Sequence, residues 1–148
     1  MIQTDVIQMV RAAIYRQVAA TGRFLTVGEV AALYKLDRQC VEDAFRALAD
    51  GHVIVLKPGT LEICWAPPFS AMPTSFHVRC AGVSFYAPCA WDALGIPAAM
   101  KADAAIDARC AWSGEPLPIS VSNGVVLGEG LIHLEVPARR FWDDIFYT

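Results

Sequence analysis

The sequence predicts an α+β chain in two units. Residues 1–65 read as a winged helix-turn-helix-like unit, three helices closed by a hairpin. Residues 66–148 read as a small mixed β-sheet unit carrying one short site helix. Three observations carry this reading. Apolar residues recur at helical spacing, behind capping signals, through the first fifty positions. Alternating apolar segments bounded by Gly, Pro and Asn fill most of the remainder. Between them, Cys89 and Asp92 follow Pro88 at the spacing of one helical turn.

The elements follow in order. Val6, Val10, Ile14 and Val18 form one helical stripe, with Thr4 or Asp5 as its cap and Gly22 as its stop. Thr26-Val27-Gly28-Glu29 fits a capping box, in which hydroxyl and carboxylate each satisfy an orphan backbone N–H. That predicts a second helix to about Tyr34. Asp37 caps a third, with Val41, Ala44, Phe45 and Leu48 on one face and Gly51 at its end. Val53–Leu56 and Leu61–Cys64 flank a Pro58-Gly59 turn as a hairpin. Trp65 to Pro73, rich in proline, reads as a connector. Phe76–Arg79 and Val83–Tyr86 read as strands leading to the site helix, which is expected to end before Pro97. Ala104–Cys110, Leu117–Val121 and Leu131–Val136 read as further strands. Asn123-Gly124 marks a type I′ turn, whose two central residues need positive φ. The tail from Phe141 to Tyr147 is expected to re-enter the sheet.

Composition bounds the function. The chain is 55% hydrophobic and 18% charged, which describes a folded globular protein. A formal charge of −3 gives no support to nucleic-acid or anionic-membrane binding. The third helix offers Arg38, Gln39 and Arg46 but also Asp37, Glu42 and Asp43, a poor match to a phosphate backbone. The opening residues lack the basic start of a secretory leader, and no apolar run reaches transmembrane length. The expected compartment is cytoplasmic. There the five cysteines, Cys40, Cys64, Cys80, Cys89 and Cys110, are thiols and not a disulfide framework, and no CxxC pair or zinc spacing occurs.

Cys89 and Asp92 are the candidate site. Residues three apart share a helix face. A cysteine in a first turn lies among unpaired N–H groups at the positive end of the helix dipole, which favours thiolate. A carboxylate beside it can move a proton. The competing reading is that Cys89 is a small packed hydrophobe and Asp92 a first-turn acid. Tyr86 and Trp91 flank the pair and either line an apolar pocket or pack in the core. Cys40, Cys64 and Cys80 read as packing thiols, and His52, His77 and His133 as surface or satisfied histidines.

Phe85-Tyr86-Ala87-Pro88-Cys89-Ala90-Trp91-Asp92-Ala93-Leu94 and Cys110-Ala111-Trp112-Ser113-Gly114-Glu115-Pro116 together resemble the organomercurial (alkylmercury) lyases, as does the order of the two units. The resemblance implies protonolysis of a carbon–mercury bond. Cys89 matches the first mercury-binding thiolate, Asp92 the carboxylate that handles the proton and also faces the metal, and Cys110 a structural cysteine. Mercury is the substrate and product, so no cofactor is implied. The implied partners are an organomercurial or Hg(II) and an external thiol that accepts mercuric ion. The family's second mercury-binding cysteine aligns immediately after Thr148, or else at Trp142 or Asp143, where no thiol stands. Three explanations are open: a sequence cut short, a UGA selenocysteine codon read as stop, or a one-cysteine relative. The alternatives to a lyase are a non-catalytic thiol-based mercury binder or sensor and a winged-helix transcription regulator.

Overall fold

The computed structural model describes residues 4–147. Helices α1 (Thr4–Thr21), α2 (Val27–Tyr34) and α3 (Arg38–Asp50) come first. The capping box at α2 forms as written: the Glu29 backbone N–H donates to Thr26 Oγ1 at 3.2 Å and the Thr26 N–H to Glu29 Oε2 at 2.8 Å. Asp37 caps α3 through the Gln39 and Cys40 N–H groups. The predicted stripes face inward, and Val10, Ile14, Val30, Val41 and Phe45 are all fully buried. On the outer face of α3, Glu42 pairs with both Arg38 and Arg46, and Asp43 also holds Arg46. The arginines a DNA-binding helix would extend to phosphates are already paired on their own helix.

The α+β class holds. Strands β1 (Val55–Leu56), β2 (Ile63–Ala66), β3 (Phe69–Ser70), β4 (His77–Cys80), β5 (Val83–Tyr86), β6 (Ala104–Arg109), β7 (Pro116–Ser122) and β8 (Val125–Leu127) make one sheet in the order β1-β2-β3-β5-β4-β6-β7-β8. Every pairing is antiparallel, where a small mixed sheet was expected. The sheet also runs through the 65/66 boundary. Trp65 and Ala66 pair with Ser70 and Phe69 around a cis Pro67-Pro68 turn, so the supposed connector is a hairpin inside the sheet. Ala66 and Phe69 are buried there, and that burial holds the prolines in place.

Helix α4 (Ala90–Met100) lies between β5 and β6 in sequence. Pro97, the expected stop, is inside it. Its ring is fully buried beside Ile96, which offsets the one backbone bond proline forgoes, and its carbonyl accepts from the Lys101 and Ala102 N–H groups. The Asn123-Gly124 turn has φ of 50° and 76°, as the hairpin rule requires.

Two expected strands are absent. Leu131–Val136 forms no strand, and Leu131 is wholly exposed. The chain leaves the sheet at Gly128 (φ 134°), where a Cβ would lie 3.1 Å from the Pro118 carbonyl. The tail does not re-enter the sheet either. It forms a 3-10 helix (Ala138–Asp143) and lies over the first hairpin region, with Trp142 stacked on His52 at 4.2 Å and Phe146 against Trp65 at 5.2 Å. Among the described residues no helix is long and apolar enough to cross a membrane.

Candidate active site at the start of helix α4

Strand β5 delivers the chain to the site. Past Tyr86, the Ala87 N–H donates to the Phe76 carbonyl at 3.0 Å, and Thr74 Oγ1 donates to the Ala87 carbonyl at 2.6 Å. These bonds fix the backbone just before Pro88. Cys89 is then the extended N-cap of α4, with φ −150° and ψ 177°, and its carbonyl accepts the first helical bond from Ala93 at 2.9 Å. The inward face of the helix, Ala93, Ile96 and Pro97, is buried, which sets its rotation.

That rotation brings Cys89 and Asp92 together. The Cys89 thiol donates to Asp92 Oδ2 at 3.4 Å, within the range for sulfur. Both groups are half-buried. Burial pushes the Cys89 pKa up; the backbone N–H groups of Asp92 and Trp91 pull it down, but burial wins. Burial also raises the Asp92 pKa, against the opposing effect of the Cys89 contact. The thiolate expected from the helix dipole alone is therefore not the resting form. Cys89 rests as a thiol, and Asp92 holds a proton more readily than an ordinary carboxylate.

The sign of this effect gives a test. A raised carboxyl pKa means the fold favours protonated Asp92, so its contribution is present at low pH and is lost as pH rises through the carboxylate range. Asp92→Asn should therefore raise the melting temperature at pH 7 by about 2–4 °C, the effect of roughly 1 kcal/mol in a chain of this size. The gain should shrink towards zero as pH falls below about 4, where Asp92 is protonated in either state. Thermal unfolding of both chains across pH 3.5–8 reads it.

The other predicted residues are placed as follows. Cys110 sits in the turn between β6 and β7. Strands β5 and β6 both pair with β4, with Tyr86 and Asp107 opposite His77. Cys89 and Cys110 thus leave the same end of the sheet from strands two apart. The Cys110 pKa is lowered, first by the Ser113 hydroxyl and then by the Ser113 and Trp112 N–H groups. Tyr86 is half-buried with its ring 5.2 Å from His77, and Trp91 is 60% exposed. Two surface clefts, of about 310 and 480 Å³, are lined by other residues. The first lies between Gly22–Thr26 and β2, the second between the far end of α4 and the β7–β8 turn. Trp142 and Asp143, two of the alignments for the second family cysteine, belong to the tail, Trp142 on His52 and Asp143 paired with Arg140 at 2.8 Å. The third alignment follows Thr148 and lies outside the described residues.

Sequence reasoning missed Tyr15. Its hydroxyl lies within hydrogen-bond distance of the Val53 carbonyl at 3.2 Å and the Pro67 carbonyl at 3.1 Å, and its single proton is shared between them. Burial raises its pKa; the Arg11 charge opposes that rise, and the Asp92 charge adds a smaller push upward. A tyrosine beside the α1 core stripe, one turn past Arg11, gave no local signal of this.

Comparison with known proteins agrees with the motif reading. No curated protein matches the chain. Among solved structures it is similar to the crystal structure of the mercury-bound form of MerB2, with 25% identity and a TM-score of 0.66. The match covers 85% of this chain and 60% of that one, so the chain spans less than two thirds of its relative's length. The model of the alkylmercury lyase (MerB) family matches residues 69–145, which include β3 to β8, α4 and the Cys89–Asp92 pair. With just over half of its 148 residues matched, the chain belongs to the alkylmercury lyase family.

Proposed function

We propose that the chain is an organomercurial lyase in which Cys89 takes the mercury and Asp92 carries the proton. The observation that supports this most is the thiol-to-carboxylate hydrogen bond at the start of α4, within the family-matched segment. Mercury is soft and prefers sulfur to oxygen or imidazole. When R–Hg–X meets Cys89, the S–H bond breaks, an S–Hg bond forms and X⁻ leaves. Asp92 Oδ2 receives the proton. The carbon–mercury bond then breaks, its electron pair takes that proton, and R–H departs. Mercury stays on Cys89 sulfur and takes a second anionic ligand, an external thiolate such as glutathione. Asp92 ends ionised, as it began. A raised Asp92 pKa suits both halves, because the group accepts the thiol proton and holds it until carbon needs it.

The test is incubation with phenylmercury and excess glutathione, with benzene measured in the headspace. Release that grows with time and with the amount of chain supports a lyase. Bound mercury with no benzene supports instead a non-catalytic mercury binder or sensor.

A further inference from the structure

The N-terminal helices make a close approach to the site. At the end of α1, a Cβ on Gly22 would lie 2.6 Å from the Ser84 carbonyl of β5, so helix and site strand meet backbone to backbone. In the middle of α1, the Tyr15 hydroxyl spans two carbonyls far apart in sequence, Val53 before β1 and Pro67 in the β2–β3 turn. The next residue, Pro68, abuts α4: a Cβ on Gly95 would lie 3.2 Å from Pro68 Cβ. Gly95 is three residues past Asp92, one turn along the same helix. A continuous set of contacts therefore runs from the Tyr15 hydroxyl through Pro67-Pro68 to the helix that carries the candidate pair.

We propose that Tyr15 is a positioning residue for the Cys89–Asp92 pair, acting through the Pro67-Pro68 turn on α4. The inference rests on the lyase reading for its catalytic meaning, but not for its geometry. Its hydroxyl faces the two backbone carbonyls and makes no hydrogen bond to Asp92, so it holds the turn and does not itself transfer a proton. The charged groups that act on it are Arg11, from its own helix, and Asp92, from α4. Without the hydroxyl, the turn loses its tie to α1 and the first turn of α4 opens more often to water and reagents. Gly95 serves the same contact from the other side: a Cβ there would crowd Pro68, and the ring would have to give by a few tenths of an ångström.

The test uses Tyr15→Phe, which keeps the ring, and Gly95→Ala, which pushes Pro68 away. At pH 7, iodoacetamide labelling of Cys89 is followed by peptide mass spectrometry. Cys110 serves as the internal reference, since the groups that tune it belong to its own turn. Both variants should raise the Cys89-to-Cys110 labelling ratio by about three-fold or more, with cooperative unfolding retained. Tyr15→Phe should also lower kcat for benzene release about ten-fold, with KM for phenylmercury within about two-fold, because orientation is lost and not affinity. An unchanged labelling ratio in a folded Tyr15→Phe chain overturns the proposal. If that chain does not fold, Gly95→Ala decides in the same way. A wild-type chain that releases no benzene defeats the lyase reading, while the labelling ratio still answers for Tyr15.

Discussion

Cys89→Ser should abolish benzene release from phenylmercury and remove mercury from the peptide that contains residue 89. The hydroxyl is a hard, weakly acidic oxygen, and a soft cation gains little from it. Affinity at this site should fall by at least about 100-fold, more than loss of an outer-shell partner typically costs. Whole-chain binding is a poorer readout. Cys110, whose pKa is lowered where that of Cys89 is raised, should retain mercury in the variant. Peptide-level mapping after sub-stoichiometric loading separates the two. Mercury that stays on the residue-89 peptide of the variant, with benzene released at the wild-type rate, would remove Cys89 from the mechanism.

Asp92→Asn should separate capture from cleavage. The amide oxygen still accepts from the Cys89 thiol, so the local geometry survives. The amide does not take up the thiol proton or protonate carbon. Mercury capture should stay within about ten-fold of wild type, while the single-turnover rate of benzene release falls by about 10²–10⁴, the usual contribution of a positioned acid or base. With the stability gain at neutral pH, this variant would be firmer and less active. That is the signature of a carboxylate kept for chemistry at a cost to the fold.

Local chemistry made much of this fold legible. Thr26 with Glu29, Asp37 before α3, and Asn123-Gly124 each satisfy their own backbone, so their roles follow from neighbouring letters alone. The Cys89–Asp92 contact was legible for the same reason, as a pair one helical turn apart. Pro67-Pro68 and Pro97 misled because a proline's effect depends on what buries it. The sheet absorbs the first turn, and the core packs the second inside a helix. Leu131–Val136 has a strand's alternation, but a strand also needs an open edge at the right place. The chain turns off at Gly128 after only three residues of β8. The ionisation of the pair was not legible either. A first-turn position alone favours thiolate, and only burial, a long-range property, reverses it. Tyr15 acts across 38 and 52 residues of sequence, beyond any periodicity.

Proton counting tests the coupled thiol and carboxylate most directly. A chain carrying Cys40→Ser and Cys110→Ser is mixed with less than one equivalent of phenylmercuric chloride in weak buffer containing a pH dye. If Asp92 receives the thiol proton and passes it to carbon, almost no proton reaches the solvent, and benzene appears in step with mercury bound. Adding Asp92→Asn should then release one proton for each mercury captured. One proton per mercury from the Asp92 chain itself, at the same rate as from its Asn variant, would contradict the account.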